Sequence, residues 1–343
     1  MRRLPLPLAV LLLTAPSTAA PTTHEFHPDT GRWHEVQAPT TRPTSDQTLD
    51  RVEQLIQKNQ NTAARKLALT WLKSHKDSPL RDRAIFLLAQ AYFQYGDRVR
   101  AFYHLDELMD NYPDSPLFYH ALEKQYQIAD AYLRGYKIRF LMVPLFGAEN
   151  EAVEMLFRIQ QRSPGSPLAE KALRRTADYY FADRQYDLAF DAYASYNRSY
   201  PRSPDIPIVK LRQAFSALAQ FRGSPFDAST LLDARALLGD IAQRHPDLAD
   251  QENLAEVVRR IDATFSGKLY DTADFYRRTN KPRAAVYLYR YLIKTYPQSR
   301  QAAKSQEQLR HMPKWALDGP EPSPGNGYAP TTIPTLRPLK EKR

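Results

Sequence analysis

Three histidines near the start of the chain are the residues best suited to bind a metal. His24, His27 and His34 lie close together in the sequence, and neutral imidazole is a common zinc ligand. A stable site also needs a fourth ligand at a fixed spacing, which this proline-broken segment does not offer. We therefore predict no metal site.

The sequence lacks the residues and motifs that usually carry out nucleophilic and redox catalysis. The 343 residues include no cysteine, so there is no thiolate for catalysis, no disulfide and no cysteine to carry an acyl chain. The sequence also contains no glycine-rich phosphate loop, no GxSxG or HExxH motif and no cluster of Asp and Glu. It predicts neither an enzyme nor a cofactor.

Aromatic residues follow one another at helical spacing in the middle of the chain. Such a stripe can stack on nucleic-acid bases, but this spacing is far more typical of side chains that pack in a helical core. We therefore predict core packing and no nucleic-acid partner. The stripe consists of Tyr179, Tyr180, Phe181, Tyr186, Phe190, Tyr193 and Tyr196.

The two ends of the chain differ in composition from its middle. A basic start, a short apolar run and small residues predict a secretory signal peptide at residues 1–19. A retained membrane anchor is the alternative, although the run is shorter than the roughly 20 residues of a spanning helix. Residues 20–46 are predicted to be a Pro/Thr-rich linker, with one ordered patch around Phe26 and Trp33 as the alternative. Residues 313–343 are predicted to be a Pro-rich disordered tail.

Residues 47–312 repeat a helical-hairpin pattern. Stretches such as HKDSPL, YPDSPL and YPRSPD recur, and their prolines stop a helix because proline lacks an amide donor and clashes with the preceding turn. The stretches accompany the small and aromatic spacing of tetratricopeptide repeats. Full units begin at Ala89, Ala177 and Ala273, stretched ones at Ala129 and Ala214, and Ala64 belongs to a half unit.

This pattern predicts an all-α fold, a right-handed solenoid of about five to six tetratricopeptide-like helical hairpins with disordered ends. The first helices of such hairpins line a concave groove suited to an extended peptide or to a loop of another protein. Aromatic side chains beside arginine are suitable anchors there. The predicted partner-binding groove consists of Phe86, Gln90, Phe93, Gln94, Tyr126, Asp130, Leu133, Arg134, Arg174, Asp178 and Phe181.

An insertion from Gly135 to Gly147 is rich in apolar residues. These residues either pack inward and cap the solenoid or form an exposed patch that binds a partner, and the sequence leaves both open.

The formal net charge of +10 permits contact with anionic lipid headgroups or acidic protein surfaces. The charges are interspersed and form no dense basic block, so an ordinary solvated surface is the alternative.

Two segments of the repeat region resemble a known family. They are AYFQYGDRVRAFYHLDELMDNYPDSPLFYHALEKQYQIADAYLRG and SPLAEKALRRTADYYFADRQYDLAFDAYASYNRSYPRSP. Their Tyr-Pro-x-Ser ends and Ala-rich helices resemble the BamD-type outer-membrane assembly factors, which are periplasmic proteins with five such repeats. The resemblance covers roughly residues 50–311.

The resemblance implies a non-catalytic periplasmic scaffold at the inner face of the outer membrane. Its N-terminal repeats would meet nascent outer-membrane proteins, and its C-terminal repeats would meet the barrel-assembly core subunit. Family members are usually lipoproteins anchored through a cysteine, which this sequence lacks, so peripheral association with the outer membrane is the expectation. The alternative function is a soluble cell-envelope coordinator of division or peptidoglycan synthesis.

Overall fold

The computed structural model describes residues 22–27, 30, 32–37, 46–136, 138–140, 143–146, 148–221 and 229–318. It describes only the backbone of residues 22–23, 37, 138–140 and 143–146. The elements in chain order are β1 (Thr22–His27), β2 (Arg32–Gln37), α1 (Gln47–Gln57), α2 (Asn61–Ser74), α3 (Arg81–Tyr95), α4 (Arg98–Asn111), α5 (Phe118–Leu133), β3 (Ile138–Phe140), β4 (Val143–Phe146), α6 (Glu149–Arg162), α7 (Pro167–Ala182), α8 (Tyr186–Ser199), α9 (Ile206–Gln220), α10 (Ser229–Arg244), α11 (Pro246–Gln251), α12 (Leu254–Arg278), α13 (Pro282–Thr295), α14 (Arg300–Arg310) and α15 (Lys314–Leu317).

The chain divides into two compact units, residues 1–172 and residues 173–343. In the first unit, α1 packs on α2, α3 on α4 and α5 on α6, and each pair also contacts the next. One continuous apolar core runs through these helices. In the second unit, α8, α9 and α10 pack in succession, and α12, α13 and α14 do the same around cores of their own.

Small residues lie where the two helices of each hairpin cross. A side chain no larger than a methyl group lets the two helix axes approach closely, as the repeat spacing predicts. Each of the following alanines is at most 1% exposed: Ala64, Ala68, Ala89, Ala101, Ala129, Ala152, Ala177, Ala189, Ala214, Ala234, Ala273 and Ala285. The predicted all-α fold of tetratricopeptide-like hairpins is therefore confirmed.

The second helices of the hairpins end in the same way. At each end one residue leaves the helix with φ between −121° and −137° and ψ between 56° and 65°, while its N–H still donates to the carbonyl four residues earlier. A following proline favours this extended backbone, because its ring disfavours the helical conformation of the preceding residue. The residues are His75, Tyr112, Ser163, Tyr200, His245 and Tyr296, and all but His75 precede a proline.

Side-chain bonds also follow the repeat period. Arg83 donates to Asp50 at 2.8 Å across 33 residues, and Ser115 donates to Asp82 at 2.5 Å across the same interval. These bonds join neighbouring hairpins through partly buried polar groups, where a charge-assisted bond is stronger than in water.

An antiparallel hairpin of β1 and β2 precedes the helices, with Phe26 opposite Trp33 in its register. Sequence composition predicts a linker here, with one ordered patch around Phe26 and Trp33 as the alternative, and does not indicate the strands themselves. The hairpin forms because Trp33 has a partner: its Nε1 donates to the Pro164 carbonyl at 3.0 Å, and its ring lies 5.7 Å from that of Tyr119.

Two further elements also differ from the sequence-based expectations. The strands β3 and β4 pair within the Gly135 to Gly147 insertion, but the side chains from 137 to 147 lie outside the described residues, so neither predicted arrangement is tested. Helix α15 lies inside the tail predicted from residue 313 onward, because Met312 and Ala316 are buried against α13.

The predicted signal peptide, residues 1–19, and the rest of the tail, residues 319–343, lie outside the described residues. Among the residues that the structure describes, no helix combines the length and the hydropathy of a membrane span.

Candidate protein-binding surface

The end of helix α3 positions Phe93, an aromatic residue of the predicted groove. Gly96 ends α3 in the left-handed region with φ of 94°, a conformation that favours glycine. The chain then enters α4, which Asp97 caps by accepting a hydrogen bond from the backbone N–H of Arg100 at 3.1 Å. This turn places the guanidinium carbon of Arg98 5.2 Å from the Phe93 ring centroid.

Cations from neighbouring helices complete a cluster of rings and charges. Lys124 Nζ lies 5.2 Å from the Phe93 ring centroid. The guanidinium of Arg65 covers the ring of Tyr95 at 3.8 Å, and that of Arg98 covers the ring of Tyr136 at 3.6 Å. Contacts of this kind are attractive within about 6 Å. We give the name cation–aromatic cluster to two sets of contacts that share helix α3: Arg65 with Tyr95, and Arg98 and Lys124 with Phe93, where Arg98 also contacts Tyr136.

The cations of this cluster rest on rings rather than on acids. None of the three lies within ion-pair distance of a carboxylate among the described residues. The Nε atoms of Arg65 and Arg98 are buried and have no hydrogen-bond partner there. Burial lowers the pKa of the Lys124 ammonium, because it disfavours the charged form, and a carboxylate placed nearby would offset that effect. The cluster therefore holds positive charge that an acidic partner can neutralise.

The predicted groove residues of the first unit lie around this cluster on α3 and α5. Phe86, Phe93, Tyr126 and Leu133 are half-buried and pack against the core of the first unit. The polar members Gln94 and Arg134 are exposed, and Gln90 and Asp130 are half-buried. Arg134 pairs with Asp130 at 2.7 Å. All eight side chains keep some exposure, which a binding surface requires.

The three predicted groove residues of the second unit are engaged in internal contacts. Asp178 accepts hydrogen bonds from Tyr193 Oη at 2.7 Å and from Arg212 Nη1 at 2.9 Å. Arg174 pairs with Asp205, and Phe181 makes an edge contact with Tyr186 at 5.7 Å. Tyr193 is fully buried, and its burial raises the pKa of its phenol. These contacts join α7, α8 and α9, so the three residues have a structural use.

A cleft lies beside α4 and α6 in the first unit. Its apolar lining includes Phe102, Tyr103 and Met155, and Glu151 and Arg158 also line it. Its volume of about 240 Å³ is smaller than the roughly 300–1,000 Å³ of most small-molecule sites. The cleft is therefore too small for most cofactors.

The histidines of the N-terminal hairpin point to different neighbours. The His24 ring lies 4.7 Å from that of Tyr119, whereas His27 and His34 contact each other at 4.8 Å. Within the described part of the chain, no group of three or more potential ligands is arranged to hold a metal ion.

Sequence reasoning missed most of the cation–aromatic cluster. The repeat register selects positions on first helices, whereas Arg65 comes from a second helix and Arg98 from the start of another. The available signal was the pairing of basic and aromatic residues around the turn YGDR, in which Tyr95 precedes Gly96 and Arg98 follows it.

The fold is a series of tetratricopeptide-like helical hairpins, and residues 83–115 match the tetratricopeptide repeat model. Residues 147–314 match the model of the YfiO family, described as outer membrane lipoprotein. The predicted resemblance to BamD-type proteins is thus confirmed over that segment.

The solved structures that match this chain are distant in sequence. The TPR-like repeats of a putative kinesin light chain from Podosopora anserina are 17% identical, with 58% of this chain and 95% of that chain covered at a TM-score of 0.31. The C-terminal part of a TPR repeat-containing protein from Cytophaga hutchinsonii is 13% identical, with 75% and 98% covered at a TM-score of 0.29. A comparison with curated proteins found no significant match.

Proposed function

We propose that this chain is a non-catalytic scaffold of outer-membrane protein assembly, which binds the barrel-assembly core subunit and nascent outer-membrane proteins. The observation that carries the proposal is the cation–aromatic cluster, whose three cations have no acid partner among the described residues. The match to the outer membrane lipoprotein family supports a place in the cell envelope. Within the envelope, we assign the protein to the periplasm at the inner face of the outer membrane.

The chemistry of the cluster suits extended protein segments that mix apolar and acidic residues. The half-buried ring of Phe93 offers an apolar contact at low entropic cost, and aromatic and arginine residues dominate the binding energy of many interfaces. Arg98 and Lys124 both lie near that ring and can each donate hydrogen bonds to a carboxylate. The exposed side chain of Gln94 on the same helix can donate and accept hydrogen bonds with the backbone of the segment.

Recovery of partners from gently solubilised envelope tests this function. The native protein is expected to co-purify with the barrel-assembly core subunit, identified by mass. A Phe93→Ala variant is expected to recover at least tenfold less of the nascent outer-membrane proteins that co-purify with it, because loss of a central aromatic anchor typically costs about 2 kcal/mol or more.

The control for this experiment is Tyr103→Ala. Tyr103 is 65% exposed in the same unit and lies outside the cluster, so its removal is expected to leave recovery unchanged. Recovery of division or peptidoglycan-synthesis proteins alone would contradict the proposal and favour the envelope coordinator.

A further inference from the structure

Positive charge is concentrated at the C-terminal end of the second unit. Residues 268–318 contain eleven Lys and Arg and four Asp and Glu, a net charge of +7 within a chain whose formal charge is +10. Two of the four acids are already paired, Asp274 with Arg277 and Arg278, and Glu307 with Arg310. The basic residues of this segment therefore outnumber the acids that could pair with them.

An exposed tryptophan lies among these charges. Trp315 of α15 is 57% exposed, whereas the neighbouring Ala316 is 3% exposed and Met312 is 8% exposed. Those two side chains pack with α13 in the last apolar core, and Arg290 donates to the Leu317 carbonyl at 3.0 Å. Helix α15 is thus held on α13, and its indole is fixed in an outward position.

One cation contacts the indole, and two others lie on the same helices. The guanidinium carbon of Arg283 lies 5.4 Å from the Trp315 ring centroid, and Lys314 is the next residue along the chain. Arg283 and Arg290 are two helical turns apart on α13 and therefore share one face. All three cations are exposed, and none forms an ion pair with a described carboxylate. We call Arg283, Arg290, Lys314 and Trp315 the Trp315 patch.

The turn between α12 and α13 adds another exposed aromatic residue and another cation–aromatic contact. Phe275 in the last turn of α12 is 52% exposed, and Lys281 lies 5.9 Å from the ring of Tyr276. The chain passes from this turn directly into the first turn of α13, where Arg283 is located.

We infer that the Trp315 patch is a binding site for an anionic phospholipid surface. An indole prefers the headgroup level of a bilayer, where its ring is in apolar surroundings and its N–H remains hydrated. Cations beside it bind lipid phosphates. A protein partner would call for a broad apolar centre around the tryptophan, whereas the indole contacts the guanidinium of Arg283 and lies on a segment with an excess of basic residues. The site is separate from the cation–aromatic cluster, so the inference does not depend on the proposed protein partner.

Vesicle flotation with the purified full chain tests the inference. The protein is expected to float with phosphatidylcholine vesicles that contain phosphatidylglycerol, and not with phosphatidylcholine alone. The double variant Arg283→Gln with Arg290→Gln is expected to bind about thirtyfold more weakly, given the usual contribution of each basic residue near an anionic surface. A blue shift of indole fluorescence on binding is expected in the native protein and should be lost in Trp315→Phe.

The control is Lys58→Gln with Lys66→Gln, which removes two exposed charges from the first unit and is expected to bind as the native protein does. Circular dichroism of each variant verifies folding. The inference is overturned if the native protein fails to float with anionic vesicles, or if the arginine double variant floats as well as the control. It is equally overturned if the fluorescence of Trp315→Phe shifts on binding as that of the native protein does. The same holds if the arginine double variant loses a protein partner in the envelope pull-down but still binds anionic vesicles as the native protein does.

Discussion

Replacement of Asp106 by alanine is expected to lower the free energy of unfolding by about 2–4 kcal/mol. The Asp106 side chain is only 15% exposed and accepts from Arg158 and Arg162 at 3.0 and 2.9 Å. It also accepts from Gln125, a fully buried residue of α5 whose other amide atom already lacks a partner. Without Asp106 the whole Gln125 amide would be buried without a hydrogen bond. Urea unfolding followed by circular dichroism measures the loss.

Asp110→Ala provides the matched control for that prediction. Asp110 pairs with the same Arg162 at 2.9 Å, but its side chain is 63% exposed. An exposed ion pair of this kind contributes at most about 1 kcal/mol. If the two variants lose equal stability, the buried network around Asp106 does not hold the first unit together as described.

Asp178→Ala is expected to destabilise the second unit by about 2–3 kcal/mol, because it removes the acceptor of the buried Tyr193 hydroxyl and of Arg212. Tyr193→Phe removes only one hydroxyl and is expected to cost about 1 kcal/mol. The double variant should lose less than the sum of the two, since both changes break the same bond. Urea unfolding of the four proteins supplies the complete cycle.

This cycle separates a structural role for Asp178 from the partner-binding role that the repeat register predicts. Asp183→Ala serves as the control, since Asp183 is an exposed residue next to the end of α7. If Asp178→Ala leaves the free energy of unfolding unchanged but weakens partner recovery, Asp178 acts in partner binding and not in stability. An additive cycle would show that the two side chains do not act through one bond.

The fold could be predicted from the sequence because the residues within each hairpin determine where its helices cross and end. Ala89 and Ala101 mark the crossing of one helix pair, and Pro113 marks its end, so local spacing alone specifies both. The proline-bearing stops predict the helix ends to within a few residues, since the backbone before a proline is restricted by local sterics. Such signals need no knowledge of distant contacts.

The N-terminal hairpin could not be predicted in the same way. Its stability depends on Trp33, which bonds to Pro164 across 131 residues. An isolated two-stranded hairpin has only marginal stability in water. Its local sequence pattern is therefore not enough to predict it. Helix α15 is a similar case, since burial of Ala316 against α13 decides its position.

The candidate surface was predicted only in part. The register selects positions such as Phe93 and Gln94, which are half-buried and exposed, because first-helix positions repeat with the hairpins. It cannot identify Arg65 and Lys124, which reach the cluster through long, flexible side chains from other helices. The register also cannot show that Asp178, at a position expected to face the groove, accepts hydrogen bonds from Tyr193 and Arg212 instead.

Site-specific photo-cross-linking in living cells tests the central claim most directly. A photoreactive residue would replace Gln94, which is exposed on α3 beside the cation–aromatic cluster, and Tyr103 of the same unit would be replaced in the control. We predict adducts with the barrel-assembly core subunit or with nascent outer-membrane proteins at position 94 and none at position 103. Adducts at position 94 with peptidoglycan-synthesis or division proteins alone, or an absence of adducts there while position 103 cross-links, would contradict the account.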